Sequence, residues 1–433
     1  MLSIFKKIIV FFLTLESRLI ILKYKPKIIA VTGSVGKTST KDAVYNVLSG
    51  AFFVRKSAKS FNSEIGVPLT IIGVENGWRN PLTWGKNLIS GLALILFPSH
   101  YPKWLVLEVG ADRPGDIRKI SHWLHPDIVV LTRFSDVPVH VEFFDSPEDV
   151  TKEKGHLVRA LKGDGVLVYS EDDKHALSLR HSFAGSTLPY GFADGNVVLG
   201  AHDEPIYEKE GKEKIPVGMT FKVDHRGVSI PIRVPGVLGR QHIYPVLAAI
   251  AVGISQGLPI LKSAQAVSSG QFPPGRMHIV SGMADTVIID DTYNSSPVAV
   301  HEALATLARL DISGRKIAVL GDMMELGKYS IEEHRNAGKY SAEVADLLIT
   351  VGMRSHFIET GALKKKMGKR KLAHFEDSIQ AGEYIKSIIE PGDIVLVKGS
   401  QSMRMERVVE AIMANPDQKE KLLVRQDEEW RKR

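Results

Sequence analysis

The chain has 433 residues, of which 44% are hydrophobic and 24% charged, a composition typical of a globular protein with two or three domains. It contains no cysteine, which excludes disulfides and thiolate metal sites and fits a cytoplasmic protein. The net charge of +7 is modest for this length and comes without a run of Lys or Arg, so we expect anionic substrates and no nucleic-acid partner.

Residues 1–26 predict a basic, apolar helix. Residues 1–27 hold six Lys or Arg and one acidic residue, Glu16. The apolar runs 8–15 and 19–22 are interrupted at 16–18, which leaves the segment too short and too broken for a membrane span. No small-residue cleavage site for a signal peptide follows. Two interpretations stay open: the helix packs on its own domain, or it lies on an anionic membrane surface.

A strand, a glycine loop and a helix are predicted next. The apolar run 28–31 leads into Thr-Gly-Ser-Val-Gly-Lys-Thr at 32–38, and a helical pattern follows at 42–48. Such a loop directs backbone N–H groups and a helix N-terminus at phosphate oxygens. Lys37 can neutralise the outer phosphates, and the Thr38 hydroxyl can ligate Mg²⁺. The candidate phosphate-binding residues are Gly33, Ser34, Val35, Gly36, Lys37, Thr38 and Ser39.

The remaining elements predict two successive α/β units. Strands are expected at 27–32, 104–109 and 128–132, then a β-rich subdomain over 165–235 and an apolar helix over 240–256. The Phe-Pro-Pro-Gly segment at 272–275 indicates a domain boundary. Four strands are expected after it, at 286–290, 316–320, 347–351 and 393–398, and a charged helix at 418–433. The fold class is therefore a P-loop domain with a mostly parallel sheet, followed by a Rossmann-like α/β domain.

Polar residues stand where the strands of the first unit end. Glu108 lies at the end of a predicted strand, where open α/β sheets bind ligands. His140 follows the next strand by a short loop, and Lys154 lies on a helix shortly after it. Singly, each residue is more typical of a solvated side chain; the alternative is a shared nucleotide and metal site.

Three strand ends of the second unit are also polar. They are Asp-Asp-Thr-Tyr-Asn at 290–294, Leu-Gly-Asp-Met-Met-Glu-Leu-Gly at 320–327 and Val-Lys-Gly-Ser-Gln-Ser-Met at 397–403. Any one of them is compatible with ordinary loop chemistry. Together with the phosphate loop of the first unit, they predict a functional cleft between two domains.

In their order along the chain, these segments resemble the Mur ligases, and most closely the branch that adds D-alanyl-D-alanine. The matching stretches lie at 32–38, 61–68, 108–117, 140–143, 290–297, 321–327 and 398–409, so the resemblance covers about 28–415. It implies a central ATP-binding domain at 27–274 and a C-terminal domain at 275–433, preceded by the helix at 1–26.

The resemblance implies an ATP-dependent amide ligase of peptidoglycan precursor synthesis. ATP converts an acceptor carboxylate to an acyl phosphate, which an amine such as D-alanyl-D-alanine then attacks. Catalysis is assigned to Lys37, Glu108, His140 and Lys154. Two Mg²⁺ ions are assigned to Thr38, Glu108, His140 and Lys154, where Lys154 matches a lysine that the family carbamylates. Contacts with the nucleotide are assigned to Arg276, Asp291 and Asn294. Contacts with the amine substrate are assigned to Asp322, Glu325, Lys398 and Ser400.

Three departures from the family pattern matter. Only 32 residues precede Gly33, so we expect the usual N-terminal UDP-binding domain to be absent. His242 and Pro245 stand where Asn residues near adenine are usual. Residues 75–103, with Trp78, Trp84 and an uncharged apolar run at 88–97, form an insertion.

The acceptor and the location stay open at this stage. For a ligase, the possible acceptors are a peptide carried by UDP, a lipid-linked intermediate and a polyglutamate. The alternatives to a ligase function are a simple phosphotransferase and an idle ATP-binding scaffold. The segments 1–26 and 75–103 predict either a peripheral contact with a membrane or partner protein, or helices that pack on each other. The sequence leaves the oligomeric state undetermined.

Overall fold

The structure, a computed structural model, describes residues 2–58, 61–78, 80–210, 213–268, 270, 272–427 and 430. Two β-sheets flanked by helices account for most of it, and the predicted fold class is confirmed. The sheets lie on either side of the predicted boundary at 272–275, while the exact limits 1–26, 27–274 and 275–433 stay predictions.

The first sheet has nine strands in the order β2-β3-β1-β4-β5-β6-β7-β8-β9, parallel from β2 to β7 and antiparallel from β7 to β9. The β-rich region predicted over 165–235 therefore continues this sheet. The strands are β1 (Lys27–Thr32), β2 (Val54–Lys56), β3 (Trp104–Glu108), β4 (Ile128–Leu131), β5 (Val166–Ser170), β6 (Ser186–Gly191), β7 (Val198–Glu210), β8 (Glu213–His225) and β9 (Val228–Pro235).

Nine helices of the described chain accompany this sheet. One face packs against α2 and α8, and the other against α1, α3 and α5, which explains why residues 28–31 of β1 and 104–107 of β3 are apolar. The helices are α1 (Leu2–Tyr24), α2 (Lys37–Ser49), α3 (Gly66–Ile72), α4 (Pro81–Leu96), α5 (Asp116–Ser121), α6 (Pro147–Arg159), α7 (Lys174–His181), α8 (Ile243–Ser255) and α9 (Ile260–Ser268).

The second sheet has six strands in the order β10-β11-β15-β12-β13-β14, and all neighbours are parallel except β10 with β11. Its strands are β10 (His278–Ser281), β11 (Val287–Asp291), β12 (Lys316–Gly321), β13 (Leu347–Val351), β14 (Leu372–Phe375) and β15 (Ile394–Lys398). Its helices are α10 (Pro297–Arg309), α11 (Ser330–Val344), α12 (His356–Lys364), α13 (Ser378–Ile388), α14 (Glu406–Ile412) and α15 (Lys419–Leu422).

The prediction of a charged helix over 418–433 is wrong. Helix α15 ends at Leu422, because Leu423 and Val424 turn inward and are buried. Arg425 then adopts a φ of 59° and binds Glu406 at 2.8 Å. Residues 428, 429 and 431–433 lie outside the described residues.

Helix α1 packs against α3 and α4 of its own domain. Lys23 near its C-terminus donates to the carbonyls of Leu94, Ile95 and Phe97 at 2.7–2.9 Å, and so binds the C-terminal end of α4. Within the described residues, no helix is long and apolar enough to cross a bilayer.

Glu16 is the one acidic residue of α1, and its carboxyl group lies between α1 and α4. It contacts α4 at Gly91, where a Cβ atom would collide with Oε2. Oε2 is buried without a hydrogen-bond partner among the described residues. Burial raises the pKa of the Glu16 carboxyl to about 7, because the ionised form loses hydration.

We expect Glu16→Gln to remove a pH-dependent loss of stability. The carboxyl binds its proton more tightly in the folded than in the unfolded chain, so wild-type stability falls as the pH rises from about 4.5 through 7. At pH 8 the variant should unfold with a free energy higher by on the order of 1 kcal/mol, after allowance for partial solvent screening; at pH 5 the difference should shrink. Urea unfolding at both pH values measures this, with exposed Glu75→Gln as control. Identical pH profiles for wild type and Glu16→Gln would contradict it.

Candidate active site

The phosphate loop connects β1 to α2 and depends on two glycines with positive φ. Gly33 has φ 144° and lies against Thr132, where a side chain would collide with Oγ1. Gly36 has φ 84° and precedes the first residue of α2, where no side chain caps the helix in the described structure. The N-terminal end of a helix is a favourable place for an anion, because its backbone N–H groups and dipole point toward it. The N–H groups of Ser34 and Val35 donate instead to Arg133 O, at 2.8 and 3.0 Å.

Lys37, the first residue of α2, curls back over this loop. Its Nζ donates to the carbonyls of Gly33 at 3.1 Å and Ser34 at 3.3 Å. Burial lowers the pKa of Lys37, and the nearby carboxylate of Glu108 opposes that effect. An ammonium held by its own loop in this way can exchange those carbonyls for phosphate oxygens.

A carboxylate and a hydroxyl meet beside the loop. Glu108 ends β3 and is buried, and its Oε2 accepts from Thr38 Oγ1 at 2.9 Å. Its Oε1 accepts from Asn62 Nδ2 at 3.2 Å. Hard oxygen donors of this kind suit Mg²⁺, which is bound through one or two carboxylates together with substrate phosphates. Thr38 and Glu108 therefore fit a nucleotide-bound Mg²⁺.

Lys154 lies on α6 behind the loop and is only 4% exposed. Its Nζ lies 3.2 Å from Ser34 Oγ and faces the ring of Phe134. Burial lowers the pKa of Lys154 to about 7, with a further contribution from the charge of Lys37. The surface-lysine interpretation of Lys154 is therefore wrong, because both loop and helix enclose the amine.

His140 reaches across to the second domain. Its Nδ1 lies 2.9 Å from Oε2 of Glu325, and its Nε2 lies 3.4 Å from Oδ1 of Asp112. The side chain is partly exposed. His140, which was predicted to bind metal, and Glu325, which was predicted to bind the amine substrate, are therefore in direct contact.

In the second domain, the end of β15 organises the loop after β11. The buried Lys398 Nζ donates to Asp291 Oδ2 at 2.6 Å and to Asn294 O at 3.0 Å. Asp291 Oδ1 accepts from Met277 N at 3.2 Å. Lys398, predicted for the amine, therefore contacts Asp291 and Asn294, two of the residues that were predicted for the nucleotide.

The loops after β12 and β15 are bound to each other. Ser400 Oγ accepts from Met324 N at 2.8 Å, and Ser400 N donates to Asp322 O at 3.0 Å. Asp322 Oδ1 accepts from Ser355 N at 2.7 Å. Asp322 thus fixes loop geometry, whereas Ser400 also borders open space.

A cleft of about 620 Å³ separates the two domains and is bordered by residues from both. Most of the predicted site residues line it, whereas Gly33, Lys154 and Asp322 lie behind its wall. Those that line it are Ser34, Val35, Gly36, Lys37, Thr38, Ser39, Glu108, His140, Arg276, Asp291, Asn294, Glu325, Lys398 and Ser400.

Several lining residues were absent from the predicted site. Asn62 is one, although the stretch 61–68 already belonged to the family resemblance and could have pointed to it. Arg404 also lines the cleft and lies in the matching stretch 398–409, whereas Gln241 and Trp430 line it outside every matching stretch.

His242 and Pro245 occupy the region expected near adenine. His242 is buried, its Nε2 contacts Arg276 O at 2.7 Å, and its ring packs edge-on against Phe272. Burial lowers the pKa of His242 to about 3, so the ring is neutral at physiological pH. Its contact with Arg276 links the α8 region to the interdomain arginine, whose guanidinium stacks on Tyr293 at 4.1 Å.

Comparisons with known proteins agree with this architecture. Residues 31–253 match the Mur ligase middle domain, and residues 275–401 match the Mur ligase, glutamate ligase domain. The chain is 28% identical over 391 residues to UDP-N-acetylmuramoyl-tripeptide–D-alanyl-D-alanine ligase of Bacillus subtilis, covering 90% of this chain and 76% of that protein. The Escherichia coli ligase of the same name is 27% identical over 393 residues, 90% of this chain and 77% of its own.

A solved structure shows the same fold. The MurF ligase from Thermotoga maritima in complex with ADP superposes with a TM-score of 0.74 and 26% identity, over 93% of this chain and 83% of that one. The family resemblance predicted from the sequence is confirmed.

We expect Glu108→Gln and Lys37→Ala each to lower ATP turnover by about 10²-fold or more. Glu108→Gln removes the negative charge that holds a divalent cation, and Lys37→Ala removes a charge that offsets the phosphates. Steady-state phosphate release measures both. Glu64→Gln, a partly exposed carboxylate that pairs with Lys6, is the matched control and should retain wild-type turnover. Near-wild-type rates in either cleft variant would contradict the site.

Proposed function

The chain belongs to the Mur ligase family, and on this premise we propose that it is an ATP-dependent carbon–nitrogen ligase of peptidoglycan precursor synthesis. It joins D-alanyl-D-alanine, or an amine of that kind, to the carboxylate of a peptide acceptor. The observation that carries the proposal is the shared cleft, in which the phosphate loop, Glu108 and three polar strand ends of the second domain converge. The names of the B. subtilis and E. coli relatives support the choice of amine.

The proposed reaction has two steps. A carboxylate oxygen of the acceptor attacks the γ-phosphorus of ATP, the bond to the ADP oxygen breaks, and an acyl phosphate forms. The amine then attacks the acyl carbon, the carbon–oxygen bond to phosphate breaks, and the amine loses a proton. Lys37 and Arg276 offset phosphate charge, while Thr38 and Glu108 would hold Mg²⁺, which would supply further charge neutralisation.

A second part of the proposal concerns Lys154. We infer that its uncharged amine adds to CO₂, forming a carbon–nitrogen bond and releasing one proton, so that a neutral buried amine becomes an anionic carbamate. The burial of the amine and its position beside Ser34 support this, because an uncharged lysine is the nucleophile that the addition needs. The carbamate oxygens would then serve a second Mg²⁺ together with His140.

We expect Lys154→Ala to be nearly inactive and to be partly rescued by acetate, which replaces the lost carboxylate-like group. Turnover measured against acetate concentration tests this. Lys152→Ala is the matched control: it lies on the same helix with an exposed side chain that pairs with Asp149, and it should keep wild-type turnover without any acetate effect. An active Lys154→Ala, or an equally inactive Lys154→Ala that acetate never rescues, would remove the carbamate from the proposal.

We assign the amine substrate to the second-domain wall formed by Glu325 and Ser400. Glu325 is partly exposed in the cleft, and contact with His140 lowers the pKa of its carboxyl, so it is anionic when an ammonium approaches. Asp322 and Lys398 act behind them as positioning residues, because their side chains bind Ser355 N and Asp291.

We expect Glu325→Gln and Ser400→Ala to raise the KM for D-alanyl-D-alanine by about 10-fold, in line with the loss of one charge-assisted or neutral hydrogen bond, and to change the KM for ATP far less. Initial rates with one substrate varied at a time give both constants. Glu332→Gln, exposed on α11, is the control. A larger effect on the KM for ATP would reassign this wall to the nucleotide.

The last part of the proposal concerns location. We propose that the chain works in the cytoplasm and makes a peripheral contact through residues 2–24 and 75–103. The outer faces of α1 and α4 support this, since both expose large apolar side chains. Such a contact favours a lipid-linked acceptor over a polyglutamate as the alternative substrate.

A further inference from the structure

Helices α1 and α4 present apolar side chains to solvent as well as to the core. Phe11, Leu15 and Leu22 on α1 are 63%, 41% and 69% exposed. Ile89, Leu92 and Leu96 on α4 are 69%, 50% and 62% exposed. We call these six residues the outer apolar face.

The outer apolar face is a second stripe, separate from the one that holds each helix in place. On α1, Ile9, Leu13 and Ile20 are buried against the domain. The exposed apolar residues of this helix share another face, at positions 8, 11, 12, 15, 19 and 22. A helix packed only on its own domain normally shows charged and polar residues there. Exposed apolar surface of this extent marks an interaction site.

The two segments that carry the outer apolar face are predominantly basic. Residues 2–27 hold six Lys or Arg and residues 75–103 hold three, against one acidic residue in each segment. Glu16 points between the helices at Gly91, so it does not offset the surface charge. Lys7, Arg18 and Lys86 are exposed. A second copy of the chain would bring the same positive charge to the contact, whereas an anionic surface complements it.

The two helices also have the properties of elements that lie in a bilayer surface. Neither is long and apolar enough to cross a membrane. Trp78, 65% exposed, precedes α4, and tryptophan side chains favour the membrane interface. A helix with one apolar side toward lipid and cations at its rim lies flat at the boundary between headgroups and acyl chains.

We propose that the protein binds peripherally to anionic lipid bilayers through the outer apolar face. The apolar side chains of α1 and α4 enter the headgroup boundary, and Lys7, Arg18 and Lys86 contact anionic headgroups. This deepens the peripheral contact proposed above by naming its partner, and it requires no step of the ligase reaction.

Vesicle co-sedimentation of the full chain tests the apolar contribution. The wild type should sediment with vesicles of phosphatidylcholine containing one third phosphatidylglycerol. The combined variant Phe11→Gln, Leu22→Gln, Ile89→Gln and Leu96→Gln should bind at least about 10-fold more weakly, because four apolar side chains no longer leave water. The matched control replaces four exposed apolar residues elsewhere, namely Leu261→Gln, Ile331→Gln, Met353→Gln and Ile379→Gln, and should bind like the wild type.

A second pair of variants tests the charge. Lys7→Gln, Arg18→Gln and Lys86→Gln together should weaken binding to the anionic vesicles, and 0.5 M salt or pure phosphatidylcholine should weaken wild-type binding likewise. Lys369→Gln, Arg370→Gln and Lys371→Gln remove the same charge from an exposed cluster of the second domain and should have no such effect. Thermal unfolding of every variant shows whether the fold is kept.

Three results would overturn the proposal: no sedimentation of the wild type, equal loss in the test and control variants, or a wild-type dimer that the four-residue variant abolishes. The dimer would assign the outer apolar face to a second copy of the chain. Because sedimentation needs no substrate, failure of the ligase assay with intact vesicle binding would overturn the proposed function alone.

Discussion

Three largely desolvated lysines around the phosphate loop set the electrostatics on which the cleft depends, and one of them, Lys37, lines the cleft. Lys37, Lys41 and Lys154 are all withdrawn from water, and burial lowers the pKa of each. Charges are tolerated at such depth only where acceptors surround them: Lys41, for example, donates to Ser57 O at 2.8 Å. Glu108 is the carboxylate that Lys37 and Lys41 share. Of the three lysines, Lys37 lines the cleft, so its charge is the one that a bound polyphosphate compensates.

The cleft exists because ion pairs fix the second domain against the first. Asp203, at the start of the antiparallel extension of the first sheet, is almost fully buried and accepts from Arg240 at 2.7–3.0 Å and from Arg309 at 2.6 Å. Arg133, beside the phosphate loop, pairs with Glu302 of α10. Only the carboxylate of Asp203 is buried in this group, and two arginines that are each about half exposed compensate its charge. The carboxyl ends of the strands in both sheets therefore face the same cleft.

Site residues within one contiguous motif could be predicted from the sequence, whereas contacts between distant residues could not. Lys37 and Thr38 were found because a phosphate loop is encoded by contiguous residues. The burial of Lys154 depends on Ser34, which is 120 positions away, so the helix pattern alone indicated a surface lysine. The matching stretch 61–68 contains Asn62, but its contact with Glu108 depends on tertiary structure. The helix predicted at 418–433 failed because charge patterning cannot reveal that Leu423 is drawn into the core.

The same limit applies to α1, since an apolar helix does not indicate which of its faces meets the protein. Its 23 residues span about 34 Å, against about 20 Å for the six residues of β1, to which two residues connect it. Because α1 runs back along the sheet, its N-terminal end passes the edge where the phosphate loop lies. Lys6 there pairs with Glu64 at 3.1 Å, two residues from Asn62 and its bond to Glu108. The N-terminal end of α1, which carries part of the outer apolar face, therefore lies beside the catalytic edge of the first sheet.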